Sequence, residues 1–137
     1  MIGFQNKVSI KVHLIYLSIC AELLSKVKMV KTSGGTGMSS LSVDTGSFHT
    51  LGLIYDGTQA TNATKLRFRY DRQDYPLTFT GTVSSSVNPS TTQFNIGFDA
   101  SGSYFKGDVA EMTLFTRTLA SYEISNVENY LQTHWGL

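Results

Sequence analysis

The sequence predicts an all-β chain of short antiparallel strands closed by one C-terminal helix. Three observations predict it. Ser and Thr make up 32 of 137 residues and Gly another 12, while only 15% are charged, a polar but uncharged composition suited to many short strands and turns. Short apolar runs bounded by turn residues recur along residues 38–117. Over residues 121–134 the period changes, and Ile124, Val127, Tyr130 and Leu131 fall on one face of a helix.

The elements follow in order. Val8, Ile10, Val12, Leu14 and Tyr16 alternate with Ser9, Lys11, His13 and Ile15, which is strand periodicity. Residues 21–30 fit a short helix or another strand, and Thr32-Ser33-Gly34-Gly35-Thr36-Gly37 reads as a turn cluster. Residues 38–43 form one short segment and FHTLGLIY, residues 48–55, a second, ended by Asp56-Gly57. In residues 64–70, Leu66, Phe68 and Tyr70 alternate with Lys65, Arg67 and Arg69, a half-buried strand. Residues 71–74 turn the chain, and residues 75–80 return as the partner strand, with Pro76 near its start where an edge tolerates a missing N–H. A Ser/Thr-rich loop covers residues 81–92, a short strand 94–98, a turn 99–102 and a strongly alternating strand 109–117. Gly136 sits where the C-cap of the final helix would fall.

One domain is the expectation at 137 residues, with roughly two-thirds of the unfolded surface buried. A net charge of +1 argues against a nucleic-acid binder driven by phosphate neutralisation. The charge is uneven: residues 1–31 hold five Lys against Glu22, and residues 32–137 hold six basic and nine acidic residues. Residues 1–31 are therefore expected to form a basic arm or extra strands, and residues 32–137 the main domain. The lone Cys20 excludes an internal disulfide and a Cys-based metal cage. The apolar stretch within residues 8–24, broken by Lys11, His13 and Ser18, is too short and polar to span a bilayer. Lys7 and Lys11 before it resemble the start of a signal peptide and Leu17-Ser18-Ile19-Cys20 a lipoprotein box, but Ile19 and Ala21 make a poor cleavage site. Strand periodicity is the stronger reading.

The last third carries a resemblance. Tyr104-Phe105-Lys106-Gly107-Asp108-Val109-Ala110-Glu111 leads into a strand, followed by Arg117-Thr118-Leu119, a helix start near Glu123-Ile124, then Glu128-Asn129-Tyr130-Leu131 and Trp135-Gly136-Leu137. This looks like the ending of concanavalin A-like lectin/glucanase (laminin G-like) jelly-roll domains. FHTLGLIYDGT and KLRFRYDRQDYPLTFTG resemble two upstream strands of that family, so the likeness spans residues 40–137. It implies an antiparallel β-sandwich with a short terminal helix and a non-catalytic, carbohydrate-binding or adhesion role. Three features depart from the family. Ala120 replaces the usual capping Ser, at a cost of about 1 kcal/mol. Arg72-Gln73 stands where the hairpin carries Asn-Gly, predicting a longer or strained turn. Residues 1–40 also supply too few strands for a complete domain. They either provide a shortened substitute or leave a place for a neighbouring chain, which favours an alternative role as a virion or surface-assembly protein and a possible homo-oligomer.

The candidate residues follow from chemistry. A sugar needs aromatic faces beside amide and carboxylate groups, and Tyr70, Arg72, Tyr75, Asn95, Asp99 and Tyr104 form such a set in or beside loops. No cofactor is required. Ca2+ is the one metal the loop acids Asp56, Asp71, Asp74 and Asp99 could hold, with Asp56 and Asp99 foremost. His13, His49 and His134 lack zinc spacing, and His49 is expected to pair with backbone. No catalytic residue is expected. A glycoside hydrolase is the outsider, because Asp108 and Glu111 are three apart and should face opposite sides of a strand. Asp108 is expected to fix a turn, Glu111 to be exposed, and Trp135 to anchor the helix by packing. The partners are a glycan or neighbouring subunits, without nucleic acid or a membrane span, in an extracellular, cell-surface or virion setting.

Overall fold

The computed structural model describes residues 14–21, 28–32, 34–41, 46–86 and 107–137. Its elements are β1 (Leu14–Ala21), β2 (Lys28–Thr32), β3 (Gly35–Met38), β4 (Phe48–Tyr55), α1 (Asn62–Lys65), β5 (Leu66–Tyr70), β6 (Gln73–Tyr75), β7 (Thr78–Gly81), β8 (Gly107–Phe115) and α2 (Ser121–Trp135). They form a five-stranded sheet in the order β6-β5-β4-β1-β8 and a three-stranded sheet in the order β2-β3-β7, with every strand pair antiparallel. The chain is thus mostly strands, with one C-terminal helix of 15 residues.

Alternation in β4 divides the core in two. Ile54 faces α2 and packs with Leu119, Ile124 and Leu131, joined by Phe115 and Val127. Leu53 and Tyr55, on the other face, pack with Leu66, Leu77, Phe79 and Val83, which brings β7 against β4 and β5. The register pairs Tyr55 with Leu66 and Leu53 with Phe68, so the apolar residues of both strands share that face.

Several expectations shift. The glycine cluster at 34–37 is largely strand, because the missing side chains let other groups close in. A Cβ on Gly35 would sit 2.6 Å from the Thr82 carbonyl carbon, and one on Gly37 would meet Leu66, Leu77 and Phe79 side chains at 3.1–3.2 Å. Thr64 and Lys65 belong to α1, whose Thr61 cap and Thr64 hydroxyl bond reciprocally, and not to β5. Pro76 splits the expected strand 75–80 into β6 of one sheet and β7 of the other, since it offers no N–H to a ladder. The turn between β5 and β6 centres one residue earlier than expected, on Asp71 (φ 44°) and Arg72 (φ 70°), two successive left-handed residues. The expected strand at 94–98 and turn at 99–102 lie outside the described residues, as do residues 1–13.

Strand β1 lies inside the five-stranded sheet, bonded to β4 on one side and β8 on the other. Part of the basic N-terminal stretch is therefore built into its own chain's sheet. Among the described residues no helix is long and apolar enough to cross a membrane.

Helix α2 starts at Ala120, which offers no side-chain cap. Glu123 compensates in part: its carboxylate accepts the Ala120 N–H at 2.9 Å and a two-pronged bond from Arg117 at 2.6 and 2.8 Å. The helix ends at Gly136, left-handed at φ 68°, with the Leu137 N–H on the Gln132 carbonyl.

Candidate binding site

The site on the helix side of the sheet starts from an irregularity in β8. Its register against β1 shifts between Ser18 and Ile19: Glu111 stands opposite Ser18, and Val109 opposite Ile19. Ala110 is the extra residue, a bulge that resets the alternation. Asp108 falls opposite Cys20, and Ser18 and Cys20 share a face of β1. Asp108 and Glu111 therefore share one face of β8, about two strand residues or roughly 7 Å apart along β1. This corrects the expectation that they face opposite sides. Asp108 is exposed within the strand, where a turn position was expected, and Glu111 is half-buried, where exposure was expected.

Glu111 is half-buried because the C-terminal end of α2 leans on it. Its Oε2 accepts the Trp135 indole N–H at 3.0 Å and the Tyr130 hydroxyl at 3.3 Å, and its Oε1 receives a long 3.4 Å contact from the Thr113 hydroxyl. Tyr130 and His134, four residues apart and so neighbours on the helix surface, stack at 5.3 Å with 17° between rings. His134 meets Trp135 edge-on at 5.0 Å. The polar edges of two rings are held on the carboxylate while much of their surface stays in solvent: Tyr130 is 50% exposed and Trp135 41%. Desolvation and the adjacent Glu111 carboxylate push the Tyr130 hydroxyl pKa up. Trp135 joins α2 to β8 through its indole N–H on Glu111.

A second cluster lies where β4 meets the β5–β6 turn. His49 Nδ1 is 2.8 Å from Asp71 Oδ2 and 2.9 Å from the Tyr70 hydroxyl, and the His49 and Tyr70 rings stack at 5.0 Å. Asp71 Oδ1 accepts the Thr50 N–H at 2.9 Å. His49 is thus held by side chains, not by backbone. His49 Nε2 is buried and has no hydrogen-bond partner among the described residues.

The structure brings only part of the expected sugar-binding set together. Tyr70 and Tyr75 share the Phe68 face of their hairpin, where Tyr75 packs edge-on against Phe68 at 6.3 Å. Arg72 is turned the other way, its guanidinium donating to Gln132 of α2 at 3.2 Å. Asn95, Asp99 and Tyr104 lie outside the described residues. The loop acids are engaged as turn and ion-pair groups. Asp56 accepts from the Thr58 N–H, the Thr58 hydroxyl and the Gln59 amide, and Asp74 pairs with Arg69 and Arg67. Among the described residues no group of three or more His, Cys, Asp or Glu could hold a metal ion. Sequence reasoning weighed Glu111 for hydrolysis, placed Tyr130 on the apolar face of the helix and set His134 aside as a zinc ligand, but did not join them; the available signal was the density of rings at 130–135 on a helix that needs only one apolar face.

Fold and site define a β-rich chain of two antiparallel sheets whose terminal helix presents an exposed aromatic group over a carboxylate. Compared with family models, with curated proteins and with solved structures, the chain matches none.

Proposed function

We propose that this chain is a non-catalytic carbohydrate-binding or adhesion module on a concanavalin A-like jelly-roll scaffold, acting outside cells or on a virion. One observation carries the reading: Tyr130, His134 and Trp135 form a partly exposed aromatic surface locked in place by Glu111. A pyranose has an apolar ring face and a rim of hydroxyls, which such a surface complements with an aromatic face and a carboxylate. The rings are pre-positioned by their own hydrogen bonds, so little side-chain freedom is left to lose on binding. Titration of the full chain against an oligosaccharide panel tests the reading. Binding that is lost in Trp135→Ala, with the helix intact by circular dichroism, supports it, and a panel with no binder overturns it.

A structural role in a virion or surface assembly is the second reading. It is favoured by β8, which ends the five-stranded sheet and pairs only with β1 among the described residues. Light scattering separates the two: a monomer across the micromolar range leaves the building-block reading without support. The hydrolase outsider gains a geometric basis from the shared face of Asp108 and Glu111. Turnover of an aryl glycoside that disappears in both Asp108→Asn and Glu111→Gln would replace the binding reading with a catalytic one.

A further inference from the structure

Resting on that sugar-binding reading, we infer that the Glu111 site selects carbohydrates bearing a free ammonium group. The first reason is charge. Glu111 is half-buried, and among the described residues it forms no ion pair with a Lys or Arg and is bonded by neutral donors. Arg117, the cation at the start of α2, is engaged by Glu123. A partly desolvated carboxylate matched only by neutral donors gains more from an incoming ammonium than from a hydroxyl.

The second reason is geometry. Oε2 is occupied by both aromatic donors, while among the described residues Oε1 meets the long Thr113 contact alone and keeps acceptor capacity. The rings of Tyr130, His134 and Trp135 stand beside that carboxylate, and the faces of Tyr130 and Trp135 carry the negative quadrupole that attracts a cation. Asp108, exposed on the same face of β8, adds a second negative charge within reach of an oligosaccharide. An amino sugar satisfies all three features at once: its ring face lies on an aromatic side chain and its ammonium on Glu111 Oε1. A simple quaternary ammonium satisfies only the charge.

The test is calorimetric titration of the full chain at pH 6, where a glucosamine amine is protonated. The ligands are a glucosamine tetramer, its fully N-acetylated counterpart, a neutral glucose tetramer and choline chloride. Trp135 is the single tryptophan of the chain, so its fluorescence reports occupancy of this site. The expected result is a glucosamine tetramer bound roughly tenfold more tightly than either neutral tetramer, with choline weaker still. Glu111→Gln keeps an acceptor for Trp135 and Tyr130 and should bring the ratio of glucosamine-tetramer to neutral-tetramer affinity down to about one. Salt at 0.5 M should weaken the glucosamine tetramer and choline but neither neutral tetramer. Equal affinity for charged and neutral tetramers, or a preference that survives Glu111→Gln in a variant with unchanged melting temperature, overturns the ammonium inference and leaves sugar binding standing. Choline binding as tightly as the tetramer also overturns it. A panel in which no sugar binds removes the functional reading itself.

Discussion

Arg69 of β5 and Glu128 of α2 meet in a forked ion pair, Nε to Oε1 at 2.6 Å and Nη2 to Oε2 at 3.0 Å, with Glu128 only 1% exposed. The same guanidinium donates to Asp74 at 3.1 Å and to the Arg72 carbonyl, so one side chain joins helix, strand and turn. Removing Glu128 alone takes away the buried, forked partner of Arg69 and leaves the exposed Asp74 to face its charge. Glu128→Ala should lose about 3–5 kcal/mol of stability in urea unfolding, whereas Arg69→Met with Glu128→Leu should recover most of it. A loss below about 1 kcal/mol for Glu128→Ala would show that the pair is solvated and of little structural weight.

The bare cap at Ala120 can be filled. Ala120→Ser places a hydroxyl where the helix N–H groups lack an acceptor, while Glu123 keeps its own bond to the residue-120 N–H. The expected gain is about 1 kcal/mol, or about 3 °C in Tm. Differential scanning calorimetry showing no rise would mean that Glu123 and solvent already serve those groups.

The β5–β6 turn contains opposing demands. Arg72 at φ 70° is strained for a residue with a Cβ, whereas Asp71 is needed for His49 and Thr50. Arg72→Gly should therefore stabilise by about 1 kcal/mol despite losing its surface bond to Gln132, and Asp71→Ala should cost about 2 kcal/mol. The signs must be opposite; two losses of similar size would place the strain elsewhere. Sugar affinity unchanged in Arg72→Gly would agree with Arg72 pointing toward α2, away from Tyr70 and Tyr75.

Acid should loosen the start of α2 first. Arg117 and then the Ala120 N–H hold the Glu123 carboxyl at about 2, below its ordinary value near 4.5. A depressed carboxyl contributes stability that is complete above its unfolded pKa and is lost as pH falls from about 4.5 toward 2. Thermal melts followed by far-ultraviolet dichroism across that window should fall less steeply in Glu123→Gln than in the parent. Parallel curves would remove Glu123 from the acid response.

What the sequence made legible follows from where burial is one-sided. Strands β4 and β5 and helix α2 each have a patterned face, and their alternation or helical period located them. The alternation read over 8–16 meets β1 at Leu14–Tyr16, its earlier part lying outside the described residues, and β1 runs on to Ala21 through Leu14, Ile15, Tyr16 and Leu17, apolar without alternation as suits a strand in mid-sheet. The glycine strand β3 looked like a turn because its purpose is close approach to Thr82, Leu66 and Phe79, which only the folded chain reveals. Both polar clusters join residues far apart in sequence: His49 to Asp71 across 22 positions and Glu111 to Trp135 across 24. The bulge at Ala110, which decides the face of Asp108, depends on the register of β1 and has no mark of its own in β8.

The place of β1 between β4 and β8 has a consequence for how the chain is made. Leu14–Ala21 leaves the ribosome about ninety residues ahead of Gly107–Phe115, its partner on one side. An early apolar segment must wait through most of synthesis before its second edge is covered. Helix α2, which fastens β5 through Glu128 and β8 through Trp135, emerges later still. A nascent chain stalled before residue 107 should therefore be protease-sensitive and a substrate for ribosome-bound chaperones. Emergence of residues 107–135 then supplies the edge strand β8 and the helix α2 almost together.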